Sequence, residues 1–352
     1  MKRFLMILVT LAMAVSCCGQ RVAMPTMFAH RGCWSKAECG EFTIPENSIA
    51  AVAMAARMGY AGIECDVRLT KDGKMVILHD KKINRTLRRA SDYSKVEEPV
   101  YIADLTFEQV RNEYVMESTN PQLRVPIPTL EELLAECKRV GIIPMLHSSV
   151  PQSYRVAQEM FGDEWICFTA DYELLPPVRE FSNCLILYSI DKGTAEEVIP
   201  YLEKIGGKCG VSSMKYRLYT PEFCKTLTAA GYQVQASIFK SPREVVAQRN
   251  GITYQLSDFS IMPSGKPYDK WSSKGEGSHE WSEVVECGAT VVEIDYCGTI
   301  EVVVNGNRTY TLTRKTAGRD IIGNRHFDIA PKVAVRQVDG TISRVRAKVY
   351  KY

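Results

Sequence analysis

Short apolar runs alternate along the chain with longer stretches of helical period. The runs Met27–His30, Gly62–Val67, Pro144–His147, Ile166–Thr169, Leu185–Ile190, Gly210–Ser213, Gln233–Ile238 and Thr253–Asp258 predict eight strands. Between them, Ser48–Met58, Leu130–Val140, Thr194–Lys204 and Pro221–Ala230 predict helices. Thr129 ahead of Leu130-Glu131-Glu132 is an N-cap with Glu132 at the third helical position, so each can satisfy the other's backbone N–H. Pro221 after Thr220 starts a helix without losing a hydrogen bond, and Gly141, Gly206 and Gly231 stand where helices must stop. Met75–His79 follows the turn Lys71-Asp72-Gly73 and is set aside as a hairpin strand. Eight β/α repeats in roughly 240 residues are the size of an α/β (β/α)8 barrel.

Two segments break the alternation. Residues 82–123 are polar, charged and longer than an ordinary connection, which predicts an insertion with short elements of its own. Residues 270–279 are rich in Ser and Gly and read as a linker. Beyond it the period changes to two, over Thr290–Tyr296, Ile300–Val304, Tyr310–Thr313, Lys332–Val338 and Ile342–Tyr350, with hairpin turns at Asn305-Gly306 and Asp339-Gly340. The expected organisation is a leader at 1–18, a barrel at 26–268 with the insertion at about 82–123, and a small all-β domain at 281–352. That domain contains His326 and several acids in no catalytic pattern, so a binding or packing module with an unassigned partner is expected.

The leader is indicated by Lys2-Arg3, an apolar run from Phe4 to Val15, and Ala14-Val15-Ser16 before Cys17 and Cys18. Such a run is too short to span a bilayer and suits a signal peptide. The small residues ending in Cys resemble the lipobox of bacterial lipoproteins, with Cys17 (or Cys18) as the lipidated residue. The expectation is an exported protein anchored in the cell envelope, periplasmic or at the surface. Plain secretion with two incidental cysteines is the alternative.

The chain has 352 residues, 45% hydrophobic and 24% charged, which excludes a disordered chain or a fibre. Its net charge is +3. Removing Lys2 and Arg3 leaves about +1, so nothing points to a nucleic-acid partner or a polybasic membrane surface. Ten of the 12 Cys lie beyond the leader, with no C-x-x-C pair to suggest a zinc ribbon or a thioredoxin-like site. Cys33 with Cys39 and Cys287 with Cys297 are the local candidates for pairing, and the other six are expected as buried thiols.

The chemistry gathers in the first third. Ala29-His30-Arg31-Gly32 ends the first strand, and Pro45-Glu46-Asn47-Ser48 precedes the first helix. Glu64-Cys65-Asp66 ends the second strand, and His79-Asp80 ends the hairpin strand. In a (β/α)8 barrel these strand ends form the mouth of the active site. Glu64 and Asp66 are two apart and share one face, while Cys65 points the other way into barrel packing. Paired carboxylates on one face are costly without a cation, which proposes a metal site. His30 and His79 then supply an acid/base pair, and Arg31 is a bidentate donor suited to phosphate. Glu46 can alternatively be read as a helix cap.

In this order, His30-Arg31-Gly32, Pro45-Glu46-Asn47-Ser48, Gly62-Ile63-Glu64-Cys65-Asp66-Val67, Thr70-Lys71-Asp72-Gly73 and His79-Asp80 resemble the glycerophosphodiester phosphodiesterase family. Ile127-Pro128-Thr129-Leu130-Glu131-Glu132 and, near the end, Ser257-Asp258 extend the resemblance over about Met27 to Asp258. It implies a (β/α)8 barrel that hydrolyses a phosphodiester with a divalent metal, commonly Ca or Mg. In the implied site His30 and His79 are acid and base, Arg31 holds the phosphate, and Glu64 and Asp66 ligate the metal. Glu46 lies near the substrate hydroxyls or supports Arg31. The expected products are glycerol 3-phosphate (or a phosphomonoester) and an alcohol.

The sequence departs from the family where a third metal carboxylate and a lysine are expected: those places hold His147 and Ser149. Ser237 replaces a tryptophan on the seventh strand. Three readings stay open. His147 is a third ligand, favouring Mn or Zn; or the metal binds weakly and the substrate has changed; or the barrel binds a phosphate- or sugar-containing ligand without turning it over. A move to another ester or to a glycosidic bond, through the carboxylates Glu46, Glu64 and Asp66, is a further alternative.

Overall fold

A computed structural model describes residues 26–34, 44–57, 60–213, 218 and 220–238, together with the strand segments 245–249, 252–258, 291–294, 300–304, 308–313, 332–337 and 342–346. The leader with Cys17 and Cys18, Cys39, Cys287, Cys297, His279, His326, the 270–279 linker and the two late hairpin turns lie outside the described residues. No helix among the described residues is long and apolar enough to cross a membrane.

Eight parallel strands close into a barrel. They are β1 (Thr26–Ala29), β2 (Gly62–Leu69), β6 (Ile143–His147), β7 (Ile166–Thr169), β8 (Leu185–Ser189), β9 (Cys209–Ser213), β10 (Gln233–Ile238) and β13 (Val291–Ile294). Each pairs with the next in that order, and β13 pairs back onto β1. Helices follow the strands: α1 (Ile49–Arg57), α3 (Leu130–Val140), α4 (Pro151–Phe161), the short α5 (Leu175–Val178), α6 (Ala195–Ile205) and α7 (Pro221–Ala229). The caps behave as the sequence chemistry dictates. Thr129 and Thr194 form capping boxes with Glu132 and Glu197, and Gly141 ends α3 in the left-handed region at φ 74°.

Strand faces divide the core. Outward residues such as Cys65, Leu146, Cys167, Ile186, Val211, Val234 and Ala236 pack with the helices in one buried cluster. Inward residues Phe28, Met145, Ile166, Phe168 and Leu187 fill the barrel interior in a second cluster. The six cysteines assigned to packing (Cys65, Cys137, Cys167, Cys184, Cys209 and Cys224) are all buried. Gly62 sits where β1, β2 and β6 crowd together: a Cβ there would lie 2.1 Å from the Ile143 carbonyl oxygen and 2.3 Å from the Phe28 ring. Gly62→Ala should therefore lower stability by about 1–3 kcal/mol or more, read as a shifted denaturation midpoint.

Two strands exchange sheets relative to the expectation. The run expected as the eighth barrel strand is β12 (Ile252–Asp258), and it pairs antiparallel with β11 (Val245–Arg249) and β14 (Ile300–Val304). With β15 (Arg308–Thr313), β16 (Lys332–Gln337) and β17 (Ile342–Arg346) they form a six-stranded antiparallel sheet. The run expected at the start of the all-β domain supplies β13, which closes the barrel between β10 and β1. The chain thus leaves the barrel after its seventh strand, lays down two strands of the other sheet, returns for the eighth, and leaves again. Sheet membership does not follow a single cut in the sequence.

The insertion folds on itself. After β3 (Met75–Ile77) it forms β4 (Leu87–Arg89) and β5 (Tyr114–Met116), an antiparallel pair with helix α2 (Phe107–Glu113) between them in sequence. Ile83, Leu87, Val96, Ile102, Val110, Tyr114 and Met116 bury against Val76, Leu78 and Ile127 in a separate apolar cluster. Through Val76, Leu78 and Ile127 this small core joins the insertion to β3 and to the segment before α3.

Candidate active site at the barrel mouth

The site begins at the C-terminal end of β1. Arg31 and Gly32 both adopt positive φ, 57° and 76°. A Cβ on Gly32 would lie 2.7 Å from the Ala51 Cβ, so the turn needs glycine for its handedness and for room against α1. Arg31, a non-glycine residue in the left-handed region, is held there by its neighbours. Its N–H donates to Glu64 Oε2 at 3.2 Å, and its carbonyl accepts from the Asn47 N–H at 2.8 Å. The turn aims the Arg31 guanidinium into the mouth, where Nη1 donates to Glu46 Oε1 at 3.0 Å and Nε lies 3.7 Å from Asp66 Oδ2.

Glu46 therefore supports Arg31 and does not cap the helix. The cap of α1 is Ser48, whose Oγ accepts from the Ala51 N–H at 3.0 Å. Asn47, which the sequence reading passed over, also has positive φ (57°) and donates from Nδ2 to Asp66 Oδ2 at 3.0 Å. Asn is among the residue types that tolerate this conformation, which is the signal that could have found it.

Strand pairing assembles the acids with the third residue. Glu64 and Asp66 point inward from β2 and are buried, at 0% and 2% exposure. The register sets Asp66 opposite His147 on β6, and His147 opposite Phe168 on β7. His147 Nδ1 lies 3.2 Å from Asp66 Oδ1 and 3.8 Å from Glu64 Oε1. Its ring rests on Phe168, with centroids 4.6 Å apart. Ligand atoms of Glu64, Asp66 and His147 all fall within 4.8 Å of one another, a group able to hold a metal ion. His147 thus joins the acids at the mouth rather than turning into the barrel core, whereas Ser149 is exposed.

The histidines expected as acid and base lie on either side. His30 Nε2 is 3.9 Å from Glu64 Oε2. His79 Nδ1 is 2.7 Å from Asp80 Oδ1. Asp80 in turn takes a bond from Arg85 Nε at 2.6 Å. Arg85, in the insertion, also grips Glu46 through Nη1 and Nη2, each at 2.7 Å. Sequence reasoning missed Arg85 because one arginine in a strongly charged segment carries no local mark.

Burial and neighbouring charges oppose one another across the site. Burial alone would raise the Asp66 carboxyl, but the hydrogen bond and charge of His147, with His79 and Arg31, hold it well below the usual carboxylate range. Glu46 is likewise pulled down against its burial by Arg85 and Arg31. Asp80 falls to about 2, its burial outweighed by Arg85 and then His79. Burial pushes His79 below the ordinary histidine value, with Arg31 adding to the effect and Asp66 and Asp80 opposing it. An ionised Asp80 can only accept, so the neutral His79 ring carries its proton on Nδ1 and presents a bare Nε2.

The linked side chains fit a divalent ion. Four carboxylates (Glu46, Glu64, Asp66, Asp80) face two guanidiniums (Arg31, Arg85), an excess of two negative charges before any histidine protonates. Glu64 and Asp66 are the buried members that neither guanidinium grips as a fork, and a cation at that point offsets the cost of holding them together.

Comparison with known proteins agrees with this geometry. Residues 30–172 match the Glycerophosphoryl diester phosphodiesterase family. The chain is 31% identical over 153 residues to glycerophosphodiester phosphodiesterase 1 of Mus musculus, covering 40% of this chain and 41% of that protein. It is 35% identical over 112 residues to a glycerophosphodiester phosphodiesterase of Bacillus altitudinis, covering 32% and 39%. The chain thus spans about two-fifths of the length of these relatives. In fold it is similar to a glycerophosphoryl diester phosphodiesterase from Parabacteroides distasonis, with TM-score 0.50 and 20% identity over 78% of this chain and 84% of that one. It is also similar to a chain from Silicibacter pomeroyi, with TM-score 0.51 and 15% identity over 78% and 91%. The matched stretch, residues 30–172, holds every side chain of the cluster, and over it the chain is similar to the glycerophosphoryl diester phosphodiesterase family.

Proposed function

We propose that this protein hydrolyses phosphodiesters of the glycerophosphodiester class, releasing glycerol 3-phosphate (or a phosphomonoester) and an alcohol. The observation that carries the reading is the juxtaposition of Glu64, Asp66 and His147 with Arg31 and the two histidines at the open end of the barrel. Glu64, Asp66 and His147 would hold a divalent ion, whose charge offsets that of the phosphoryl oxygens. Arg31, braced by Glu46, binds the same oxygens. One histidine accepts the proton of the attacking hydroxyl, from water or from the substrate itself. A new P–O bond forms as the bond to the leaving alkoxide breaks, and the other histidine gives that alkoxide its proton. A substrate hydroxyl as nucleophile yields a cyclic phosphate first, which water then opens.

The family resemblance favours Ca or Mg, and the imidazole of His147 favours Mn or Zn. The expected result with purified protein and glycerophosphocholine is release of glycerol 3-phosphate in the presence of at least one of these four ions. No turnover with any of them, across a broad phosphodiester panel, overturns the reading. A second reading, a barrel that binds a phosphate ligand without hydrolysis, draws on His147 and Ser149 standing where the family carries a carboxylate and a lysine. Calorimetry showing metal-independent binding without product would favour it. The leader pattern alone supports placing the chain in a cell envelope through a lipid on Cys17 or Cys18.

A further inference from the structure

We propose that Arg85, supplied by the insertion, is a positioning residue that locks the phosphate-binding arm and the acid/base arm of the site into one array. Its guanidinium makes four bonds: Nη1 to Glu46 Oε2 and Nη2 to Glu46 Oε1, both at 2.7 Å, then Nε to Asp80 Oδ2 at 2.6 Å and Nη2 to Asp80 Oδ1 at 3.1 Å. Each carboxylate it holds passes the constraint on. Glu46 Oε1 also accepts from Arg31 Nη1 at 3.0 Å, and Asp80 Oδ1 meets His79 Nδ1 at 2.7 Å. A continuous path, Arg31–Glu46–Arg85–Asp80–His79, therefore joins the end of β1 to the end of β3.

Charge and geometry both require a guanidinium at its centre. Arg31 alone faces Glu46 and Asp66, so without Arg85 the buried Glu46 would share one cation with a second acid. A lysine supplies a point charge and cannot bridge two carboxylates edge-on with four bonds. The backbone beneath Arg85 is held firmly. Ile83 and Leu87 on either side are wholly buried in the insertion's own core. The Asn84 side chain bonds the Val96 and Glu98 carbonyls and the Val100 N–H. In this reading the insertion is a strut: its small core anchors one arginine across the mouth. Arg85 touches none of the three metal-ligand candidates Glu64, Asp66 and His147 among the described contacts, and it acts through Glu46 and Asp80.

The inference rests on the proposed phosphodiesterase reading for its kinetic arm and is independent of it for its spectroscopic arm. The experiment compares wild type with Arg85→Ala, Arg85→Lys and the insertion control Arg89→Ala. Arg85→Ala should lower kcat/KM by roughly 10–100-fold, the range for a partner that orients a functional group from behind. Arg85→Lys should recover little and Arg89→Ala should match wild type. The Arg85 side chain is 46% exposed, so millimolar guanidinium ion can enter the vacated place and should restore at least tenfold of the loss, whereas urea should not. Nitrogen NMR of the His79 ring, assigned by its disappearance in His79→Gln, should show the Nδ1-protonated tautomer in wild type and a tautomer mixture in Arg85→Ala.

Wild-type kinetics and an unchanged His79 tautomer in Arg85→Ala would overturn the proposal. So would a loss of activity that guanidinium does not rescue and that leaves the tautomer unchanged, since that is the mark of a merely structural residue. A wild type without turnover that nevertheless loses its fixed tautomer in Arg85→Ala would support the positioning role and overturn the phosphodiesterase reading instead.

Discussion

Replacing His79 by alanine should lower kcat/KM by about 10²–10⁴-fold, and replacing His30 should do the same, with the fold intact in both. The expectation follows from how each ring is held. His79 has its Nδ1 engaged by Asp80, which leaves Nε2 to exchange protons with a substrate. Burial holds its pKa below the ordinary histidine value, so the ring is neutral at pH 7 and suited to accept a proton. Activity that needs this neutral ring should fall as pH drops through that lowered pKa and stay level above it until the acid partner titrates. His30, on the other side of the acids, has its Nε2 3.9 Å from Glu64. Pre-steady-state and steady-state rates over pH 5–9 (about two units either side of neutrality) would assign the two limbs, because a bell-shaped profile loses one limb with each histidine. Survival of either variant at the wild-type rate would remove that ring from the chemistry.

Asp66→Asn should abolish the response to divalent ions. Asn keeps the shape of Asp and removes the charge, so the buried pair with Glu64 is no longer two adjacent negatives. In the ion-free protein that change relieves repulsion while weakening the contacts with His147, Asn47 and Arg31. With ions the difference is one-sided: at 100 times Kd, a bound ion stabilises the wild type by about 2.7 kcal/mol through mass action. The melting temperature of the wild type should rise accordingly, and that of Asp66→Asn should not move. Calorimetric titration with Ca, Mg, Mn and Zn checks the same point directly. Equal binding by both proteins would mean that the ion, if any, sits elsewhere.

Much of this site could be read before folding. Glu64 and Asp66 are two apart on a strand, so strand geometry alone put them on one face. His30-Arg31-Gly32 at a strand end and His79-Asp80 after a hairpin turn carried their chemistry in their residue types. Thr129 with Glu132 announced the start of α3, and the structure has the reciprocal capping bonds. Helix α4 after β6, the short α5 and strand β11 were not anticipated, because their apolar spacing is broken by polar residues or prolines.

The alternation of strands and helices depends on contacts within a few residues and was legible before folding, as were the order of the chemical motifs and the residue types at the barrel rim, which are primary structure. Tertiary structure alone decided which strand closes the barrel. Residues 252–258 and 291–294 are both short β-rich runs, and only hydrogen bonding to β1 and β10, more than 50 residues away in sequence for β10 and more than 260 for β1, separates them. It decided too that His147 meets Asp66, since that pairing is a matter of register between β2 and β6. And it placed Arg85 between Glu46 and Asp80, because a guanidinium on a separate small core finds its partners through space, where no periodicity along the chain can point.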